Sequence, residues 1–296
     1  MSRFRHSILP VLAVIAVILS FWYAMVPVMN LPWERDQAQR AGLTPELSEM
    51  VAKTYAQERP VLPAPHQIVS EFVKSTFGLK VTSKRSLVFH GWITLSATLL
   101  GFAIGTVLGI LIAVGIIHSR ALDKSLMPWI IASQTIPILA IAPMIIVVLS
   151  AIGITGLLPK AVISTYLSFF PVVVGMVKGL TSPDQMQLDL MRTYSASSNQ
   201  TFWKLRMPAS MPYLFTSMKV GVAASLVGAI VGELPTGAVA GLGARLLAGS
   251  YYGQTIQIWS ALFAAAAMAA LLVAAVGLAQ RAVLKRMGQS ASGAAL

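Results

Sequence analysis

The sequence contains no cysteine and few charged residues, and each absence excludes a class of protein. Without thiols, the chain forms neither a disulfide framework nor a thiolate metal site. Only 11% of its residues are charged and 56% are hydrophobic, whereas soluble domains are roughly a quarter charged. The composition therefore indicates a protein whose main solvent is lipid.

Histidine is also scarce, and no catalytic constellation is visible. His6, His66, His90 and His118 lie far apart, and no HExxH-like spacing occurs, so we predict no metal site. An integral membrane enzyme would need His, Asp, Glu or Ser clustered near a membrane surface. We therefore predict no catalytic residue and keep the membrane enzyme as a less favoured alternative.

Long apolar runs dominate what is present. A membrane-spanning helix needs about 20 mostly apolar residues. Six stretches meet that length, namely 7–29, 91–117, 126–151, 155–180, 213–235 and 254–282. Their Gly and Pro content favours helices that pack together. The predicted fold is an all-α integral membrane protein with six transmembrane helices.

The basic residues flank these runs. The chain carries 22 Lys and Arg against 10 Asp and Glu, but they form no single patch, so we expect a bilayer and no nucleic acid as partner. The positive-inside rule predicts both termini in the cytoplasm and a multi-pass protein of the inner, or plasma, membrane. The apolar run after Arg3 and Arg5 is longer than a signal-peptide core, so we expect an uncleaved first helix.

The apolar runs also divide the chain into four parts. We expect residues 1–29 to be the first transmembrane helix, 30–90 an extracytoplasmic insertion with short amphipathic helices, 91–282 a five-helix core that includes a cytoplasmic segment at 181–213, and 283–296 a cytoplasmic tail. In the insertion, Thr44 is the predicted N-cap of one helix, and Pro65 the start of another. Such helices lie against the bundle or the lipid headgroups, or contact an extracytoplasmic partner.

Four residues inside the predicted spans are candidates for a translocation pathway: Gln134, Pro137, Pro143 and Glu233. Each proline removes a helical hydrogen bond, so we expect the helix to kink or loosen around Pro137. Gln134 either contacts a substrate or bonds across helices. Glu233, an acid within or at the edge of a span, either lines the pathway or lies near the outer surface.

The most informative stretch is the polar segment 187–213. Its pattern predicts a short amphipathic helix, a turn at residues 195–199, a second short helix and a stop at Pro208. Leu188, Met191 and Tyr194 recur at helical spacing, and Asp189 and Arg192 lie on a different face. The segment either covers the ends of the spanning helices or offers a docking surface to a cytosolic partner.

This segment resembles the E-A-A-x3-G-x9-I-x-L-P motif of binding-protein-dependent ABC importer permeases. With Pro208 as the anchor, Leu205 occupies the isoleucine position, Ser195 the glycine and Asp189 the glutamate. Residues 192–197 are similar to the R-T-L-G-A-S often found there. If the glycine position requires a positive φ, Ser195 carries an energetic penalty.

The resemblance continues outside the segment. Residues 136–143 resemble the family's L-P-P-L-A-x-x-P, residues 169–171 its F-F-P, and residues 241–243 its G-L-G. It is closest to permeases of the nitrate, sulfonate and taurine type, a group that includes transporters proposed for pyrimidines and riboflavin-type vitamins.

The resemblance implies a type I ABC importer permease. Two copies of the chain would form the pathway, a cytosolic ATPase dimer with ATP and Mg would dock on the segment, and an extracytoplasmic binding protein would deliver a small solute. No cofactor would bind this chain, in agreement with the absence of a G-x-x-x-x-G-K-[ST] phosphate loop. It implies ATPase coupling for Leu188, Asp189, Met191, Arg192, Thr193, Ser195, Ala196, Ser197, Phe202, Leu205, Met207 and Pro208.

An ATP-independent channel or secondary carrier is the alternative from another class. A carrier would need inverted repeats or paired ionisable residues within the membrane. Glu233 and Lys160 are the candidates for such a pair.

Overall fold

The structure is a computed structural model that describes residues 2–235 and 240–288, and of residues 2–7 the backbone alone. Within these ranges every regular element is a helix, in agreement with the predicted fold class. The helices are α1 (Ser2–Arg40), α2 (Leu47–Thr54), α3 (Pro65–Phe77), α4 (Leu87–His118), α5 (Arg120–Ser133), α6 (Ile138–Ala151), α7 (Leu157–Leu180), α8 (Gln185–Thr193), α9 (Ser198–Thr201), a π-helical turn (Phe202–Arg206), α10 (Met207–Glu233), α11 (Leu242–Tyr251) and α12 (Thr255–Arg286). The predicted tail 283–296 lies outside the described residues beyond residue 288.

Five helices are long and apolar enough to cross a membrane. They are α1, α4, α7, the continuous run from α9 to α10, and α12. Helices α5 and α6 pass the same test together, but they meet at an angle of 100°. The six predicted spans therefore correspond to five continuous helices and one broken pair.

The break between α5 and α6 lies where the prolines predict it. Pro137 has no N–H to donate to the carbonyl of Ser133, four residues earlier, and α5 ends at that residue. The hydroxyl of Tyr166 on α7 donates to the Ser133 carbonyl instead. Because a side chain from a neighbouring helix satisfies the freed group, the chain can turn within the bundle.

Three predicted boundaries are wrong. Helix α1 continues to Arg40, past residue 29, and includes Pro27 and Pro32. Helix α2 begins at Leu47 and has Glu46, not Thr44, at its N-cap. The third predicted span begins at residue 126, but α5 begins at Arg120, directly after Ser119, whose hydroxyl caps the helix by accepting from Leu122 N–H.

The described residues form two compact units, one from residues 2–89 and 245–264 and the other from residues 90–235, 240–244 and 265–288. In the first unit, Asn30 joins α1 to a neighbouring loop. Its amide is fully buried, donates to the carbonyl of Leu62 at 2.9 Å and accepts from the N–H groups of Val61 and Leu62 at 2.8 and 3.1 Å. These bonds hold α1 against the loop that leads into α3.

In the second unit, small residues allow α4, α7 and α10 to approach closely. Gly101, Gly105 and Gly109 recur every four residues along α4, and a Cβ on any of them would overlap α7. Helix α10 approaches α7 in the same way, because Ser217 lies against Gly175 and Gly228 lies against Ser164. Such stripes are typical of helix pairs that associate by close van der Waals contact in lipid.

Candidate functional site

The polar segment between α7 and α10 begins with a well-capped helix. The Asp184 carboxylate accepts from Gln187 N–H at 2.7 Å, and the Gln187 side chain accepts from Asp184 N–H at 3.3 Å. This reciprocal arrangement is a capping box, which satisfies N–H groups that a helix start leaves without partners. No residue of α8 is buried, so local bonds of this kind, and not a core, define its ends.

Helix α8 ends in a Schellman motif with Ser195 at the left-handed position. Ser195 has a φ of 51°, the one positive value at a non-glycine residue in the described chain. Its N–H donates to the Arg192 carbonyl at 2.8 Å, and Ala196 N–H donates to the Met191 carbonyl at 3.0 Å. The position does require a positive φ, so the motif's glycine has a physical reason and Ser195 carries the expected penalty.

The exposed apolar side chains of α8 are only partly the predicted ones. Met186, Leu190 and Tyr194 are 80%, 55% and 77% exposed and recur every four residues along one face. Of the predicted apolar set, Tyr194 is exposed, whereas Leu188 and Met191 are half-buried. The sequence pattern identified an amphipathic helix but missed Met186 and Leu190. We call Met186, Leu190 and Tyr194 the α8 stripe.

Asp189 and Arg192 pair with each other. Arg192 Nη1 lies 2.8 Å from Asp189 Oδ1, and the two side chains are 76% and 62% exposed. Thr193 is also exposed, and its hydroxyl donates to the Asp189 carbonyl at 3.0 Å. The charged edge of α8 therefore lies beside the α8 stripe and is open to solvent.

Phe202 anchors the segment and is not part of its free surface. Its side chain is 7% exposed and contacts a core formed by α4, α7 and α10. The ring of His118 lies 5.0 Å from it, centroid to centroid. Arg206 adds a second link, because its Nη1 donates to the Leu180 carbonyl at the end of α7, at 2.9 Å. The segment is thus attached to both flanking helices at its base.

The predicted stop at Pro208 does not occur. Ser197 caps α9 by accepting from Gln200 N–H at 3.3 Å, and the helix then continues from residue 198 to residue 233. The turn at Phe202–Arg206 is π-helical, with Met207 N–H bonded to the Phe202 carbonyl. This wider turn immediately precedes Pro208, so the helix accommodates the missing N–H instead of ending.

A groove of about 400 Å³ lies between the end of α4 and this segment. Its lining includes His118, Leu188, Arg192, Ala196 and Arg206. The other predicted coupling residues, Leu205, Met207 and Pro208, are half-buried farther along the helix.

The predicted pathway residues are not in one place. Gln134 is half-buried at the C-terminal end of α5, and Pro137 and Pro143 are exposed on α6. Glu233 lies at the end of α10 and is fully buried by the chain's own atoms. In this conformation Glu233 therefore faces no open surface, because other groups of the same unit occupy both of its oxygens.

Those groups form a compact cluster around the Gly241–Gly243 turn. The Thr94 hydroxyl lies 3.0 and 2.9 Å from the two Glu233 oxygens, Gly243 N–H donates to Oε2 at 2.8 Å, and Lys160 Nζ lies 3.7 Å from Oε1. Thr94 also accepts from Leu242 N–H at 2.9 Å, and His90 Nδ1 accepts from Gly241 N–H at 3.0 Å. We call these residues the Glu233 cluster.

The Glu233 cluster satisfies three successive backbone N–H groups at the start of α11. A helix start leaves such groups without partners, and here His90, Thr94 and Glu233 bind one each. Gly241 has a φ of 132°, and a Cβ there would overlap the carboxylate. The spacing of His90 and Thr94 on one face of α4 was a usable sequence signal, although it does not reveal that residue 233 lies opposite.

The described residues offer no cluster of metal-binding side chains. Within residues 2–235 and 240–288, no three His, Asp or Glu side chains are arranged to hold a metal ion. The polar side chains described here bind backbone groups or each other.

Comparison with known proteins identifies a family. Residues 105–289 match the family model described as "Binding-protein-dependent transport system inner membrane component". The chain is 31% identical over 183 residues to the formylaminopyrimidine transport permease protein ThiX of Halalkalibacterium halodurans, covering 62% of this chain and 68% of that protein.

Further relatives and a solved structure agree with this match. The chain is 29% identical to the riboflavin transport system permease protein RibX of Chloroflexus aurantiacus, over 76% of this chain and 80% of that one. The nitrate import permease protein NrtB of a Synechocystis strain is 24% identical over 60% of this chain and 64% of its own length. An inward-facing structure of the MetNI methionine ABC transporter shares the fold, with a TM-score of 0.59 and 21% identity over 67% of this chain and 95% of that chain.

Proposed function

This chain belongs to the family of binding-protein-dependent transport system inner membrane components, and we propose that its α8 stripe is the surface on which a separate ATPase drives solute import. The chain is thus a multi-pass permease of an ABC importer. Beyond membership of this family, we propose which partner the chain binds, which surface it binds with and which class of solute it transports. One observation carries it, namely an exposed apolar face on a short helix whose two neighbours are firmly packed.

The attachment of α8 allows a push to reach the membrane. Helices α7 and α10 lie in direct contact, and Phe202 and Arg206 join the base of the segment to both. Interiors packed this closely transmit displacement and deform little. Closure of an ATPase dimer against the α8 stripe would therefore shift α7 and α10 together, which is the motion that alternating access requires.

The charged edge would set the register of the contact. Complementary charges fix orientation and raise association rates more than they add affinity. Asp189 and Arg192 are exposed enough to exchange their mutual bond for bonds to a partner. ATP and Mg would bind on the ATPase, and this chain would contribute no catalytic group. A second copy of the chain would complete the pathway.

For the solute we propose a small neutral heterocycle of the pyrimidine or vitamin type. The relatives named for formylaminopyrimidine and riboflavin are 31% and 29% identical to this chain, against 24% each for those named for aliphatic sulfonates and nitrate. A nitrate-like, sulfonate-like or taurine-like anion is the competing solute class. Binding measurements on the cognate binding protein distinguish the two.

A secondary carrier is less well supported. Glu233 and Lys160 do form the pair that a carrier would need, but the Thr94 hydroxyl and backbone groups occupy the carboxylate, and Lys160 also donates to the Ala240 carbonyl at 3.1 Å. Because these two side chains hold a turn in place, they are poorly suited to bind and release a transported ion.

Replacing Leu190 and Tyr194 together by serine tests the docking surface. We expect the variant to insert and fold, because neither side chain is buried, but to lose co-purification with the ATPase and ATP-driven uptake. Truncating one of the few side chains that dominate an interface costs about 2 kcal/mol or more, and tyrosine is frequent among them. Asn199→Ala, an exposed polar change on the same segment, is the matched control. Normal uptake and co-purification by the double variant would show that the ATPase docks elsewhere.

A further inference from the structure

Helix α3 carries a second exposed apolar face, on the predicted extracytoplasmic insertion. Val69, Val73 and Phe77 are 61%, 49% and 80% exposed and recur every four residues. The opposite face is already in use, since Ile68 and Ser75 are buried at 3% and 1% exposure. The exposed face is therefore not the side by which α3 packs on its own unit. We call Val69, Val73 and Phe77 the α3 stripe.

The charges around the α3 stripe are basic. Lys74, Lys80 and Arg85 are exposed, and residues 72–90 contain no acid. The one acid of α3, Glu71, is half-buried, and its Oε1 lies 3.8 Å from Arg245 Nη2 within the same unit. The surface that α3 presents is thus apolar along its centre and cationic at its C-terminal end.

The chain also places this end of α3 close to a membrane-spanning helix. Two successive turns shorten the link from α3 to α4, because Ser83 N–H bonds to the Lys80 carbonyl and Ser86 N–H bonds to the Ser83 carbonyl, both at 2.9 Å. Helix α4 begins at Leu87 and is apolar enough to cross the bilayer. Lys80 and Arg85 are therefore expected at the depth of the lipid headgroups.

We propose that the α3 stripe lies in the outer headgroup region of the membrane and binds anionic phospholipid. A helix with aromatic and aliphatic residues on one face and cations beside them is the form that settles in the interfacial plane. The apolar residues enter the acyl boundary, and Lys74, Lys80 and Arg85 meet phosphate groups. Cations at such a surface are attracted only when the lipid is anionic and the salt concentration is moderate.

Single-cysteine labelling tests this directly, because the chain has no cysteine of its own. Val73→Cys and Phe77→Cys are each labelled with a nitroxide in the full chain, in nanodiscs of phosphatidylcholine with or without phosphatidylglycerol. Glu49→Cys, on the exposed part of α2, is the matched control. We expect the rate at which the label collides with a water-soluble nickel complex to be several-fold lower at positions 73 and 77 than at position 49. At positions 73 and 77 this rate should fall further when phosphatidylglycerol is present.

Replacing Lys74, Lys80 and Arg85 by glutamine should abolish the effect of phosphatidylglycerol and leave the label protected. The proposal is overturned if the labels at 73 and 77 are as accessible to nickel as position 49 in both discs. Equal protection in neutral and anionic discs would overturn the binding of anionic phospholipid. Protection that appears only when the cognate binding protein is added would assign the α3 stripe to a protein partner instead.

Discussion

Two of the protein's ion pairs have opposite character, one on α8 and the other in the Glu233 cluster. Arg192 and Asp189 on α8 lie 2.8 Å apart, closer than the 3.7 Å between Lys160 and Glu233. Yet the α8 pair is more than half exposed, whereas Glu233 is fully buried and Lys160 is 13% exposed. Water and salt screen the first pair, and little screens the second. Burial, not distance, decides which pair matters for stability.

The difference also separates two functional requirements. The Glu233 cluster holds a turn and a helix start in one arrangement, so its removal should damage the fold. The α8 segment is defined by its own caps and leaves its charged and apolar groups available. The docking that we propose for α8 would be favoured by such weak internal bonds, because each can be exchanged for a bond to the partner.

Glu233→Ala tests the buried side of the comparison and should have the largest effect. The substitution leaves Lys160 without its counter-charge and Gly243 N–H without its acceptor, and the Thr94 hydroxyl keeps only the His90 carbonyl, at 3.2 Å. Breaking a buried pair in this way typically costs about 3–5 kcal/mol. We expect a clear fall in the thermal unfolding midpoint, measured by intrinsic tryptophan fluorescence in detergent. Asp189→Ala is the matched control, and equal midpoints for the two variants would contradict the assignment.

Thr94→Val tests the same cluster with a smaller change. Valine keeps the shape of the side chain but removes the group that donates to Glu233 and accepts from Leu242 N–H. Leaving a buried polar group unsatisfied costs about 1–3 kcal/mol. Thr98→Val is the control, because the Thr98 hydroxyl, one turn along α4, donates only to the Thr94 carbonyl. The order of the two midpoints, Thr94→Val below Thr98→Val, is the expected result, and the reverse order would refute it.

Ser195→Gly tests the exposed α8 segment and should stabilise the C-terminal end of α8. Removing the Cβ at a φ of 51° relieves a left-handed strain of about 1–2 kcal/mol. Because α8 has no buried residue, the gain should appear locally, as slower hydrogen exchange at the end of α8 with little change in global unfolding. Ser195→Ala is the control, since alanine keeps the strain. Faster exchange in the glycine variant would show that the serine hydroxyl supplies a compensating bond.

The sequence predicts the fold well because its strongest signals are local. Apolar runs of bilayer length identify the spans, and Pro137 marks the break between α5 and α6. Boundaries fail where distant contacts override a local rule. The apolar run ends the first predicted span at residue 29, but α1 continues to Arg40, and the buried Asn30 in that extension bonds to residues 61 and 62. The predicted helix end at Pro208 is also wrong, because the π-helical turn before the proline accommodates its missing N–H.

The functional residues divide in the same way. A family-like motif located α8 and its turn, and Ser195 behaves as a substituted glycine should. Helical spacing alone could not tell which apolar face of α8 is covered. The resemblance also implied a coupling role for Phe202, which lies in the core. The Glu233 cluster was not predictable as a unit. His90 and Thr94 are separated by more than a hundred residues from Glu233 and the Gly241–Gly243 turn, and contact them only in the folded bundle.

The smallest effect on stability is expected from the α8 pair itself. Helical ion pairs of this kind contribute about 0.3–0.5 kcal/mol to stability. Asp189→Asn should therefore leave the unfolding midpoint nearly unchanged. Added salt should reduce the small difference in midpoint between the variant and the original protein. The same substitution removes a charge that we propose sets the register of the ATPase. Association with the ATPase should therefore slow and lose part of its salt dependence, as measured by the on-rate in surface-immobilised binding. Glu49→Gln breaks an equally exposed helical pair, with Lys53 at 2.8 Å on α2, and should alter neither quantity. A fall in midpoint without a change in on-rate would mean that Asp189 supports α8 alone and takes no part in docking.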